Sequence, residues 1–210
     1  MRSKLLKLLL GSFFASAVVA AHAEAPLHEA WSVAGYVCTT GEQSFGQILT
    51  GNFSRIHETI YTLEGAYALA EDNLICRIFH PLFDTIQTAA AVTYRHECPH
   101  HQKAWEGDIF LMGRFSRFPW SKYLETTFAF GDGISWASDN LYSDGDATLP
   151  RERCSRFLNY LMMEFSFALP RFPSLQFLLR LHHRCTAWGT YPKTASAGST
   201  SIGIGLRYIF

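Results

Sequence analysis

Hydrophobic and polar positions alternate most plainly at the end of the chain. In STSIGIGLRYIF (199–210), Ile202, Ile204, Leu206, Tyr208 and Phe210 share one face, and Gly203, Gly205, Arg207 and Ile209 share the other. A period of two predicts a strand, and an apolar face backed by a small or polar one is what a lipid-exposed barrel strand requires. The segment before it repeats the pattern. Leu175, Phe177, Leu179, Leu181, His183 and Cys185 lie on one face, with Gln176, Leu178, Arg180, His182 and Arg184 on the other. In 158–170, Leu161, Met163, Phe165, Phe167 and Leu169 face outward and Glu164 inward; in 122–136, Leu124, Phe128, Phe130, Ile134 and Trp136 face outward and Glu125 inward. Strands are predicted near 45–53, 58–71, 85–97, 106–117, 121–137, 157–170, 174–187 and 199–210, between loops rich in Gly, Pro, Asp and Asn.

Eight such strands predict an all-β, eight-stranded antiparallel transmembrane β-barrel of the bacterial outer membrane. Its interior is filled by side chains, so no pore is expected. Glu125, Glu164, Arg180 and Arg207 are expected to meet inside as structural ion pairs, because an inward carboxylate needs a partner to offset its desolvation. SRFPWS (116–121) and LPRFPS (169–174) are short proline-bearing turns, whereas 98–105, 138–156 and 188–198 are longer and more polar. Bacterial barrels keep short turns on the periplasmic side and long loops outside. The strand ending at His183 and Cys185 therefore runs outward and sets both side chains on the lipid face near the outer leaflet. Ionisable groups within a membrane are functional candidates by default.

Composition sharpens this picture. The chain opens with Arg2, Lys4 and Lys7, continues through an apolar run and reaches AHA at 21–23. This is the pattern of a secretory signal peptide over residues 1–23, leaving 24–210 as the barrel domain. The remainder holds 15 Lys and Arg against 18 Asp and Glu, a net charge of −3 with histidines neutral. No basic excess points to nucleic acid. Beyond the leader, no apolar run approaches the ~18 residues that a membrane helix needs. The rival class is a soluble periplasmic β-sandwich, against which the outward apolar faces and terminal Ile-Phe argue. HECPHH (96–101) gathers His96, Cys98, His100 and His101, and is read as a polar outer loop rather than a metal site. With no Walker loop, dinucleotide fingerprint or Gly-x-Ser-x-Gly elbow, neither cofactor nor metal is expected.

RFSRFPW (114–120), GDGISW (131–136), FLNYLMMEF (157–165), LRLHHRCTAWG (179–189) and STSIGIGLRYIF (199–210) together resemble the PagL-type lipid A 3-O-deacylases, a family of outer-membrane acyloxyacyl hydrolases, in a divergent branch. The resemblance covers the second half of the chain. It implies an eight-stranded barrel with a lipid-facing site, in which a His-x-Ser pair on the seventh strand and a Glu on the eighth cleave an acyl ester of lipid A. Carried over, His183 matches the base, Cys185 stands in place of the serine, and Thr200 stands in place of the acid. Asp132, outward in parity unless a bulge at Gly131 or Gly133 turns it inward, is a second candidate acid. The partners so implied are lipid A or lipopolysaccharide and outer-membrane lipid. The alternative is a non-enzymatic barrel that binds lipopolysaccharide or is purely structural. Five cysteines leave one unpaired. Predicted topology sets Cys98 with Cys154 outside and Cys38 with Cys76 on the periplasmic side, leaving Cys185 as the odd thiol. Oligomeric state is left open.

Overall fold

The computed structural model describes residues 31–98, 100–145, 154–187 and 198–210, so the predicted signal peptide lies outside the described residues. The eight strands are β1 (Trp31–Gly41), β2 (Arg55–Ala68), β3 (Thr85–Glu97), β4 (Gln102–Phe115), β5 (Glu125–Ala137), β6 (Phe157–Ala168), β7 (Leu175–Cys185) and β8 (Gly198–Ile209). Each pairs antiparallel with its sequence neighbour, and β8 pairs with β1 to close the barrel. Closure leaves no open edge, which a bilayer demands because it offers no hydrogen bonds to a free strand edge.

The outer wall is apolar. Val33, Val37, Leu63, Val92, Ile109, Ile134, Phe165, Leu179, Ile204 and Leu206 are exposed on it. Aromatic residues ring both rims: Trp31 packs on Tyr67 and Tyr208 on Phe210 near the end that holds the turns, and Tyr94 packs on Trp105 near the other. An apolar band between aromatic girdles over a charged lumen is the signature of an outer-membrane barrel, and this protein is one. The soluble sandwich is excluded by the closure.

One strand lies elsewhere than the periodicity predicts. No strand forms at 45–53; the first is Trp31–Gly41, and Phe45–Leu49 is a short helix, α1. At its start the Gln47 side chain reaches back to the Ser44 N–H at 3.1 Å. β1 is hard to read because its lumen side chains, Ser32, Ala34, Tyr36, Cys38 and Thr40, carry no charge. The outer connection predicted over 98–105 is likewise shorter, since β4 begins at Gln102. On the periplasmic side, 69–84 carries a second short helix, α2 (Leu74–Phe79).

The lumen is stratified. In its middle, small side chains from β2, β3 and β5 (Ala66, Ala89, Ala91, Ala129) face large ones from β4 and β6 (Phe110, Met112, Tyr160, Met162). Gly133 is needed here, because a Cβ would stand 2.1 Å from the Ile109 carbonyl oxygen and 2.6 Å from Phe110. Toward the periplasm, Arg180 spans Glu64 and Glu164 at 2.7 Å each, and Arg207 pairs with the same two carboxylates. The expected pairing of Glu164, Arg180 and Arg207 is present, with Glu64 as a member the sequence reading missed. Glu125 does not join them: it stands at the periplasmic start of β5, partly exposed, outside this network.

Toward the outer end, Arg95 pairs with Glu58 and Glu106, while Arg184 pairs with Asp144. Asp144 belongs to a 3-10 turn, Tyr142–Asp144, by which the β5–β6 connection folds into the mouth. The lumen is therefore plugged from within and capped from above.

The cysteines correct another expectation. Cys38 points into the lumen in the outer part of β1, whereas Cys76 lies on α2 at the periplasmic end. Half a barrel separates them, so they cannot form a bridge. Cys98 and Cys154 do both lie at the outer end, and no disulfide joins any of the five.

Candidate functional site on the lipid face

β7 alternates as its sequence predicts, so His182 points into the lumen and His183 to the outer wall. Register sets His183 opposite Thr200 on β8 and opposite Leu161 on β6. His183 Nδ1 lies 2.8 Å from Thr200 Oγ1 and 3.1 Å from the Ser199 carbonyl oxygen. A carbonyl only accepts, so Nδ1 carries the hydrogen and Nε2 keeps its lone pair. A histidine in that tautomer is prepared to take a proton at Nε2.

Two of the predicted site residues, His183 and Thr200, are thus in direct contact. Cys185 follows two residues along the same face, roughly 7 Å further toward the outer rim. It pairs with Gly198 on one side and Asn159 on the other. The Asn159 side chain and the Ala187 backbone are polar neighbours of the sulfur. Ala187 adopts φ 44°, a left-handed conformation just beyond the strand.

Asp132 keeps outward parity, because β5 runs through Gly131 and Gly133 without a register shift. It accepts a 2.7 Å hydrogen bond from Asn159 Nδ2. With β6 between its strand and β7, its link is to Asn159, beside Cys185, and not to His183. As acid for the histidine it is displaced by Thr200. Asn159 was missed by the sequence reading, although an amide among the apolar outward positions of FLNYLMMEF was the available signal.

The second missed feature is α1. A Cβ on Gly41, which pairs with Thr200, would stand 2.6 Å from the Phe53 ring, and Ile48 lies beside it. The glycine lets the β1–β2 connection lie down on the outer wall. That sets the Phe45 ring 4.8 Å from the imidazole of His183. His183 is therefore roofed by an aromatic ring, while Thr200 beside it is almost wholly buried.

The HECPHH loop is not drawn together as a metal site. His100 Nδ1 lies 3.0 Å from Glu97 and its ring stacks on Tyr142 at 3.8 Å. The three-residue ligand set found among the described residues lies elsewhere, in the lumen.

No protein-family model matches the chain, and no curated protein matches it. Solved structures do. The outer membrane enzyme PagL aligns over 85% of this chain and 99% of its own, with a TM-score of 0.49 and 10% identity. Neisserial surface protein A (NspA) aligns over 86% and 96% with a TM-score of 0.45 and 10% identity. The Yersinia pestis outer membrane protein Ail aligns over 86% and 99% with a TM-score of 0.40 and 14% identity.

Proposed function

We propose that this barrel is a lipid acyl-ester hydrolase working from its outer wall on lipid A in the outer leaflet. Cys185 is the nucleophile, His183 the base, and Thr200 with the Ser199 carbonyl the groups that orient the histidine. The observation that carries the reading is the double anchoring of His183 Nδ1, at 2.8 and 3.1 Å, on a face turned to lipid. That anchoring fixes the tautomer and the ring orientation that a general base needs.

The chemistry follows from the tautomer. The Cys185 thiol gives its proton to His183 Nε2 as sulfur bonds to the ester carbonyl carbon. The carbon–oxygen bond to the sugar breaks, and the departing oxygen takes that proton. Water then gives a proton to the same nitrogen and attacks the thioester, releasing the fatty acid and restoring the thiol. Thr200 and a carbonyl accept from the imidazolium but carry no full charge. The base is therefore weaker than one backed by a carboxylate, and turnover is expected to be slow.

A second reading is favoured by one observation. The Phe45 ring lies tilted beside His183, so a substrate must displace it or slide past it, which suits a non-enzymatic barrel that holds lipopolysaccharide on this wall. Mass spectrometry of lipid A from outer membranes carrying the protein separates the two. Loss of one acyl chain, abolished in His183→Ala, supports hydrolysis. Unchanged lipid A around a correctly inserted barrel supports binding alone.

A further inference from the structure

On the lumen side of β7, a second set of residues is left incomplete. His182 Nε2 lies 2.9 Å from Glu106 Oε1, and Glu106 is also bound by Arg95 through its other oxygen. A carboxylate held by a guanidinium is ionised and only accepts, so Nε2 carries the hydrogen. His182 Nδ1 then presents a lone pair, and no protein group meets it although the residue is fully buried. Asp108, two residues from Glu106 on β4 and equally buried, makes no close hydrogen bond through either carboxylate oxygen; the Ser135 hydroxyl and the Glu106 carboxylate are its polar neighbours. Its neighbour across the strand pair, Ser135, cannot help: that hydroxyl donates to Glu106 at 3.0 Å and accepts from Arg184.

Charge counting points the same way. Among the described residues, the buried outer group holds four carboxylates, Glu58, Glu106, Asp108 and Asp144, against the guanidiniums of Arg95 and Arg184. With a neutral His182 it lacks two positive charges. The periplasmic group does not: Glu64 and Glu164 face Arg114, Arg180 and Arg207. Buried charge without a partner is what proteins avoid most strongly.

We propose that Asp108 and the Nδ1 of His182 hold one divalent transition-metal ion inside the barrel, with Glu106 orienting the imidazole through Nε2–H and Zn²⁺ the best match to an imidazole and a carboxylate. Potential ligand atoms of the three residues lie within 4.8 Å of one another, a spacing that one ion can bridge. A metal-bound histidine usually gives its other N–H to a carboxylate, which is the contact His182 makes with Glu106. An ion of charge +2 cancels the deficit of the outer group and meets the carboxylate oxygens of Asp108. The site is sealed by the barrel wall and by the 3-10 turn in the mouth, so the ion enters as the barrel closes.

The test refolds the full chain into detergent with and without Zn²⁺, removes free metal with a chelator and measures bound zinc by elemental mass spectrometry. Unfolding temperature is followed on the same samples by the loss of heat-modifiable mobility in gels. One retained zinc per barrel and a raised unfolding temperature are expected. Asp108→Asn removes a ligand and one unpaired charge. It should fold at least as well as the zinc-free wild type, retain no zinc and gain nothing from it. A His100→Ala/His101→Ala variant should bind zinc normally. Absence of retained zinc in a folded wild-type barrel overturns the proposal and assigns the charge balance to protons. Zinc lost in the His100/His101 variant but kept in Asp108→Asn also overturns it, moving the metal to the outer loop.

Discussion

His182 and His183 are consecutive on one strand and share almost nothing of their surroundings. His182 sits in the lumen, fully buried, with its Nε2–H directed at an ionised Glu106 and an aromatic edge from Tyr160 at 4.9 Å. His183 lies on the outer wall, its Nδ1–H held by neutral acceptors from β8 and its ring under Phe45. Opposite nitrogens carry the hydrogen, and opposite nitrogens are left as lone pairs. Inside, the free lone pair faces a site short of positive charge. Outside, it belongs to a ring on the wall turned to lipid. A strand's period of two is enough to give two neighbouring imidazoles unrelated surroundings.

The comparison is broken most severely from the lumen. Arg180→Met leaves Glu64 and Glu164 buried with one fewer cation, and removing one partner of a buried pair costs about 3–5 kcal/mol. This variant is expected to lose heat-modifiable mobility in gels, or to show it only at much lower temperature. On the outer wall, His183→Gln should leave that mobility unchanged while lowering lipid A deacylation by roughly 100-fold or more, the usual contribution of a general base. His182→Gln should do the reverse, shifting unfolding temperature and sparing deacylation. Both are read by pairing gel mobility with lipid A mass spectra.

Smaller effects sharpen the outer half. Thr200→Val removes one of the two acceptors on His183 Nδ1 and leaves the Ser199 carbonyl in place. Loss of a single neutral hydrogen bond worth about 1 kcal/mol predicts roughly a fivefold slower reaction, measured in detergent with purified lipid A. Smallest of all is Glu125→Gln. Because Glu125 stands at the strand's start, outside the buried ion pairs, its unfolding free energy should change by less than about 0.5 kcal/mol.

Where one wall met lipid and the other met charge, alternation in the sequence was legible. β6, β7 and β8 carry Glu164, Arg180 and Arg207 inward against Leu, Met, Phe and Ile outward, and their faces emerged as read. β1 was lost because Ala34, Tyr36 and Cys38 inside resemble Val33 and Val37 outside, so neither face announces itself. The stretch 45–53 reads as a weak strand because it is moderately apolar. Its Ser44 and Gln47 spacing, a helix-start signal, was the contrary evidence. On the outer wall, the lipid-facing placement of His183 and Cys185 is legible from parity, whereas Thr200 enters only through the family resemblance. Asn159 and Phe45 reach the site only through strand order and the folding back of α1, which no local pattern encodes. The lumen ligand set was invisible for the same reason. Glu106 and His182 lie 76 residues apart and meet only when the barrel closes.

The proposed hydrolysis rests on a covalent acyl intermediate at Cys185. It is tested most directly by quenching the purified barrel with lipid A in acid and measuring the mass of the Cys185 peptide. An added fatty acyl mass on that peptide, present in the wild type and absent in His183→Ala, is the predicted result. An unmodified Cys185 peptide together with intact lipid A after prolonged incubation would contradict the claim, leaving the wall as a surface that binds lipid without cleaving it.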